Sequence, residues 1–102
     1  MITTVDGLRP GQFVKSKAGR DRNQYYLIMS LVGDKYLLLV DGHHHPKSKP
    51  KKKNVKHLQI TMMVDKNIEE LILRGEAVTD SEISKALRRM KNELEEGERF
   101  HG

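Results

Sequence analysis

The sequence predicts a mainly β domain followed by two C-terminal helices (β + α), and three observations carry the prediction. Apolar and aromatic residues recur in strand-like runs up to Val64. Beyond Val64 the apolar period lengthens to about 3.6. Glycine turns punctuate the first part at Gly19, Gly33 and Gly42. The expected division is a small β-barrel over residues 1–64 and a helical extension over 65–102, packed at least partly on the barrel. A β unit of some 60 residues buries only about 60% of its unfolded surface and gains from such a cover.

After a short N-terminal arm, GQFVKS (11–16) sets Phe13 and Val14 among polar neighbours. QYYLIMSLV (24–32) and KYLLLVD (35–41) are rich in the aromatic and branched residues that suit a pleated surface. Gly33-Asp34 predicts a tight two-residue hairpin between them, and Asp41-Gly42 ends the third strand. Residues 43–54 hold no apolar residue except two prolines and are crowded with lysine, which predicts a loop. VKHLQI (55–60) predicts a fourth strand with Leu58 and Ile60 inward, extended by Thr61 to Val64. Ile68, Leu71 and Ile72 follow at helical spacing, with Gly75 placed to stop that helix. Thr79 and Glu82 form a capping box ahead of the stripe Ile83, Ala86, Leu87, Met90 and Leu94, with Gly97 as the expected end and residues 98–102 expected to fray.

Composition excludes several classes. Of 102 residues, 36% are hydrophobic and 5% aromatic, there is no tryptophan, and the absence of cysteine removes disulfides and thiolate metal sites together. No apolar run approaches the roughly 18 residues that span a bilayer, and the start lacks the order of a signal peptide. A cytoplasmic protein without membrane contact is expected. No Ser-His-Asp order, phosphate-cradling loop or metal-ligand spacing is present, and the carboxylates Glu69, Glu70, Glu93, Glu95, Glu96 and Glu98 belong to solvated helix faces. The expectation is therefore no enzyme, no cofactor and no small-molecule substrate. His43, His44 and His45 invite a metal reading, but adjacent residues seldom point at one ion and nearby lysines disfavour a cation; their role stays open.

Charge is distributed unevenly. Residues 1–60 carry twelve Lys/Arg against four Asp, and residues 61–102 carry seven Lys/Arg against ten Asp/Glu, within a net charge of +5. A basic part beside an acidic appendage suits a polyanion partner on one side. Two segments concentrate the positive charge. In KSKAGRDR, Gly19 permits a close backbone approach while Lys15, Lys17, Arg20 and Arg22 project around it, and Asp21 is placed to orient one guanidinium. Lys47, Lys49, Lys51, Lys52, Lys53 and Lys56 recur in the second segment, with His57 just beyond. Each has a plainer reading: a solvated hairpin tip, a solvated charge run, and a histidine bonded to backbone in a half-buried strand. Tyr25 and Tyr26 point to opposite faces of one strand, so one belongs to the core while the other covers the barrel or stacks on a base.

Strand, basic glycine turn, strand, hairpin, strand is the order of the KOW motif. GQFVKSKAGRD, YLLLVDG, NVKHLQ and the helical VTDSEISKAL resemble the bacterial KOW-domain relatives of the eukaryotic-type large-subunit ribosomal proteins over most of the chain. The resemblance implies a small Src-homology-like barrel that binds RNA in a translation setting, with Gly19 as the glycine of the motif; the three histidines of HHHPKSKP inherit nothing from it. The partner expected is RNA, ribosomal in the first instance, with ribosomal proteins as further partners. The alternative from another class is a protein-interaction adaptor that docks on the ribosome or RNA polymerase through the helical stripe, whose plainer reading is a core-facing helix side. Which RNA is bound, whether association is stoichiometric, and the oligomeric state are not legible.

Overall fold

The computed structural model describes the backbone of residues 4–101 and the side chains of residues 4–96. β1 (Gln12–Ser16) lies between β2 (Tyr25–Val32) and β5 (Leu58–Val64), and β3 (Tyr36–Val40) and β4 (Lys51–Asn54) extend the sheet beyond β2. The order is β4-β3-β2-β1-β5, antiparallel throughout. Helices α1 (Lys66–Leu73) and α2 (Asp80–His101) follow. The β + α class is thus the observed one. The sheet is open, however, since no ladder between β4 and β5 closes it into a barrel among the described residues.

Alternation sends side chains to two separate cores. Phe13, Leu27 and Val40 face the helices and meet Ile68, Val78, Ile83, Ala86, Leu87 and Met90. On the other face Val14, Tyr26, Ile28, Leu37 and Leu39 join Val5 of the N-terminal arm, Val55 and Leu58. A sheet buried on both faces has to curl around the second cluster, and irregular register allows it. The β1–β5 ladder slips between Gln12 and Val14. There the Thr61 hydroxyl donates to Phe13 O at 2.6 Å and Gln12 Nε2 donates to Thr61 O at 2.8 Å, satisfying groups that the ladder leaves free.

Four expectations need correction. Residues 51–54 are not loop but the edge strand β4, paired to β3 with Lys53 opposite Leu37 and Lys51 opposite Leu39. Lysine is a poor strand residue in general but is favoured on an exposed edge, where charge deters edge-to-edge association. Residues 55–57, expected as strand, form a 3₁₀ turn capped by Asn54, whose side chain accepts from Lys56 N; β5 begins at Leu58 and runs to Val64 as the extension anticipated. The β2–β3 connection has three residues, Gly33 to Lys35, because Val32 pairs with Tyr36. α2 continues through Gly97 to His101. A glycine inside a helix costs only about 1 kcal/mol, too little to end it among good helix formers.

The start of the second helix read correctly, and the structure adds the cap of the first. Asp65 caps α1 by accepting from Ile68 N at 2.9 Å. The Thr79–Glu82 capping box forms in both directions, Glu82 N to Thr79 Oγ1 at 3.1 Å and Thr79 N to Glu82 Oε1 at 3.4 Å. Side-chain ties then hold the helices in place: the Arg9 guanidinium grips Glu69 through two donors, and Arg89 donates to Asp65.

Candidate nucleic-acid interface

Residues 17–24 connect β1 to β2 as a turn closed by its own backbone. Ser16 N donates to Gln24 O at 2.9 Å and Asn23 N to Ser16 O at 2.8 Å. The path needs left-handed backbone at two points, Gly19 (φ 85°) and Asn23 (φ 74°). These are residue types that tolerate it.

Asp21 is the hub of this turn. Its Oδ1 accepts from Lys53 Nζ at 2.6 Å and Ser16 Oγ at 2.9 Å, and its Oδ2 accepts from the Tyr26 hydroxyl at 2.9 Å with Lys51 Nζ at 3.3 Å. Two carboxylate oxygens offer roughly four lone-pair directions, so the group is saturated. Burial pushes its pKa up, but the hydrogen bonds from Lys53, Ser16 and Tyr26 and the Lys53 charge outweigh that and hold the carboxyl well below the usual carboxylate range. Burial and then the Asp21 hydrogen bond and charge push the Tyr26 hydroxyl the other way, above the ordinary phenol value.

This junction brings the two cationic segments together. Lys53 Nζ also donates to Ala18 O at 3.1 Å and lies 3.9 Å from where a Cβ on Gly19 would stand. Lys17 N donates to His57 O at 3.0 Å, which sets Lys17 beside the 3₁₀ turn that carries Lys56 and His57. The turn, β4 and the 3₁₀ turn adjoin one another, and their residues include Lys17, Arg20, Arg22, Lys51, Lys52, Lys53 and Lys56 with Asp21 as the one carboxylate among them. No protein-family model and no curated protein matches the chain.

Individual residues depart from the sequence reading. Arg20 and Arg22 are exposed and neither pairs with Asp21, which holds lysines instead of orienting a guanidinium. Lys53 is turned inward with its side chain 10% exposed, so its charge is spent within the fold; Lys51 is half-buried. Lys52, one step along the strand, points to the opposite face and lies 4.9 Å over the Tyr36 ring. Lys15 is also outside the junction: it lies on the helix-covered face, 5.5 Å from the centre of Tyr25, whose ring Lys91 approaches at 5.6 Å. Lys47 and Lys49 are exposed, but Lys47 N donates to Asp80 Oδ1 at 2.7 Å, which pins that part of the loop to the start of α2. His57 is exposed in the 3₁₀ turn, not half-buried in a strand. Tyr26 is the core tyrosine and Tyr25 the half-buried one.

Sequence reasoning left the role of His44 and His45 open. Asp41 Oδ1 accepts from the backbone N–H of both His43 and His45, at 2.9 and 2.7 Å, which folds the histidine loop back. His45 then sits against Tyr26, ring centres 5.8 Å apart. His44 and His45 face Arg20 and Gln24 across a shallow cleft of about 240 Å³. The one available signal was Asp41 two residues ahead of His43, the spacing of an Asx turn. Among the described residues no three His, Asp or Glu side chains converge as a metal site, and no helix is long and apolar enough to cross a membrane.

Proposed function

We propose that the protein is a non-enzymatic, KOW-type RNA-binding protein acting at the ribosome or elsewhere in translation, which grips structured RNA through the 17–24 turn and the adjoining β4 and 3₁₀ turn. The observation that carries this reading is the Asp21–Lys53 bond, which joins two cationic segments 32 residues apart in the chain. Lys17, Arg20, Arg22 and Lys56 remain exposed on these segments. Lysines there neutralise phosphates without reading sequence, while the planar guanidiniums of Arg20 and Arg22 can take two phosphate oxygens or stack on an unpaired base. Gly19 lets the backbone of the turn approach closely.

The adaptor alternative has less support. Its apolar stripe is spent inside the molecule, with Ile83, Ala86 and Met90 at most 3% exposed against the sheet.

Filter binding of ribosomal RNA over a range of salt concentrations tests the proposal. With about four cations meeting phosphates, log affinity falls with log salt at a slope of roughly −3 to −4. Arg20→Glu, Arg22→Glu and Lys56→Glu together abolish the binding. A salt-independent interaction, or one that survives these reversals, rejects it.

A further inference from the structure

The cleft between the 17–24 turn and the histidine loop sits at the margin of the basic surface, yet its chemistry differs from a phosphate site. Its walls are Arg20 and Gln24 on one side and His44 and His45 on the other, with Tyr26 and the carboxylates Asp21 and Asp41 completing the lining. Arg20 is the only permanent cation there. Asp21 has no free acceptor, since its oxygens take Lys53, Ser16, Tyr26 and Lys51. Asp41 is different: both of its backbone donors, His43 and His45, fall on Oδ1, and among the described residues Oδ2 accepts nothing. The cleft therefore offers flat groups for stacking and a carboxylate oxygen as acceptor for a ligand N–H. A phosphate would meet that carboxylate as a like charge; a base with an exocyclic amino group would meet it as a partner. At about 240 Å³ the space is smaller than the roughly 300–1,000 Å³ of sites for drug-sized ligands, which suits a single ring system.

We propose that this cleft takes one unpaired purine of the bound RNA, stacked on the imidazoles of His44 and His45 and the Arg20 guanidinium, with its amino group or ring N–H donated to Asp41 Oδ2 and Gln24 completing its polar edge. The inference rests on the RNA-binding reading and adds to it a base-selective position on a surface that otherwise holds phosphates. Stacking on side chains is open to every base but stronger for the larger purine surface. Uracil can offer its ring N3–H to the same acceptor, but its single ring stacks more weakly than a purine, so stacking carries the selection against it.

The test uses the full chain and short labelled oligouridines carrying at the centre a guanosine, an adenosine, a uridine or an abasic unit, with affinity measured by fluorescence anisotropy. The purine-containing strands bind about tenfold more tightly than the uridine and abasic strands, a typical effect of one stacked base. His44→Ala with His45→Ala removes that difference while the salt slope of the uridine strand stays unchanged. Asp41→Asn, which keeps an acceptor for the two backbone N–H groups and replaces the other oxygen by a donor, weakens the purine preference without unfolding the loop. Equal affinity for all four strands, with salt dependence intact, overturns the base site and leaves the RNA-binding surface standing. Absence of any binding to these strands or to ribosomal RNA sinks both.

Discussion

Lys53 on the edge strand reaches across to Asp21 in the 17–24 turn, with Nζ 2.6 Å from Oδ1 and both side chains about nine-tenths buried. The bond fastens the β1–β2 connection to the rim of the sheet. Asp21→Ala leaves the Lys53 ammonium buried without its carboxylate and costs about 2–4 kcal/mol of stability. Lys53→Met costs less, because its stem still covers the same apolar surface. Urea titrations of both single variants and of the double variant check the coupling, expected at about 1–3 kcal/mol; strictly additive effects would show that the two groups do not stabilise one another.

Acid should weaken the fold through the same carboxyl. The folded pKa of Asp21 lies below its unfolded value. Its stabilising contribution is therefore fully present above the unfolded pKa of about 3.9 and is lost as pH falls toward the folded one. Melting temperatures of the wild type decline below about pH 4 more steeply than those of Asp21→Asn, which has nothing to protonate. Parallel declines would contradict this.

Two glycines separate conformational strain from crowding. A Cβ on Gly19 meets only ordinary contacts, Asp21 Oδ1 at 3.6 Å and Lys53 Nζ at 3.9 Å, so Gly19→Ala costs only the left-handed backbone, about 1–2 kcal/mol. Gly42, at φ 76°, adds a clash of its Cβ with Asp80 O and Ser84 Oγ at the start of α2. Gly42→Ala is expected to be the more damaging in thermal melts, and its damage falls on the seam where Ser84 Oγ donates to Asp41 O and Lys47 N to Asp80. Equal losses would mean that α2 yields freely there.

Lysines of the two segments should not behave alike toward RNA. Lys56→Glu acts on an exposed cation beside Lys17 and lowers the salt slope by about one. Lys15→Glu acts on the helix-covered face, where Lys15 lies over Tyr25, and leaves the slope as it was. Filter binding of the two variants side by side distinguishes them; matching losses would place the footprint on the wrong face.

Met90→Glu forces an ionised group into a site that is 3% exposed and costs about 3 kcal/mol or more. Lys85→Glu, exposed on the same helix, stays within about 0.5 kcal/mol. Circular dichroism during denaturation separates the two; a folded Met90→Glu protein that had merely lost a partner would revive the adaptor reading.

Local chemistry was the legible part. Thr79 and Glu82 announce a helix start because the capping box is made within one turn, and Tyr25 to Val32 announces a strand because branched and aromatic side chains suit a pleat at any position in a sheet. β4 was not legible, since KKKN becomes a strand only when β3 offers a hydrogen-bonding edge. The histidine loop was opaque for a related reason: what brings His44 and His45 to Arg20 is the packing of His45 on Tyr26 and the attachment of Lys47 to α2.

The order of the amino acids alone determined the change of period at Val64, the split of charge between the two parts of the chain, and the presence of a glycine among cations in the first turn. Tertiary structure decided which cations stay free. Once Leu37 and Leu39 pair with Lys53 and Lys51, alternation along β4 turns those two lysines toward Asp21 and sends Lys52 to the other face. No property of the run KKK distinguishes its members; only the register of a strand from elsewhere in the chain, with a buried carboxylate waiting on one face, makes them unequal.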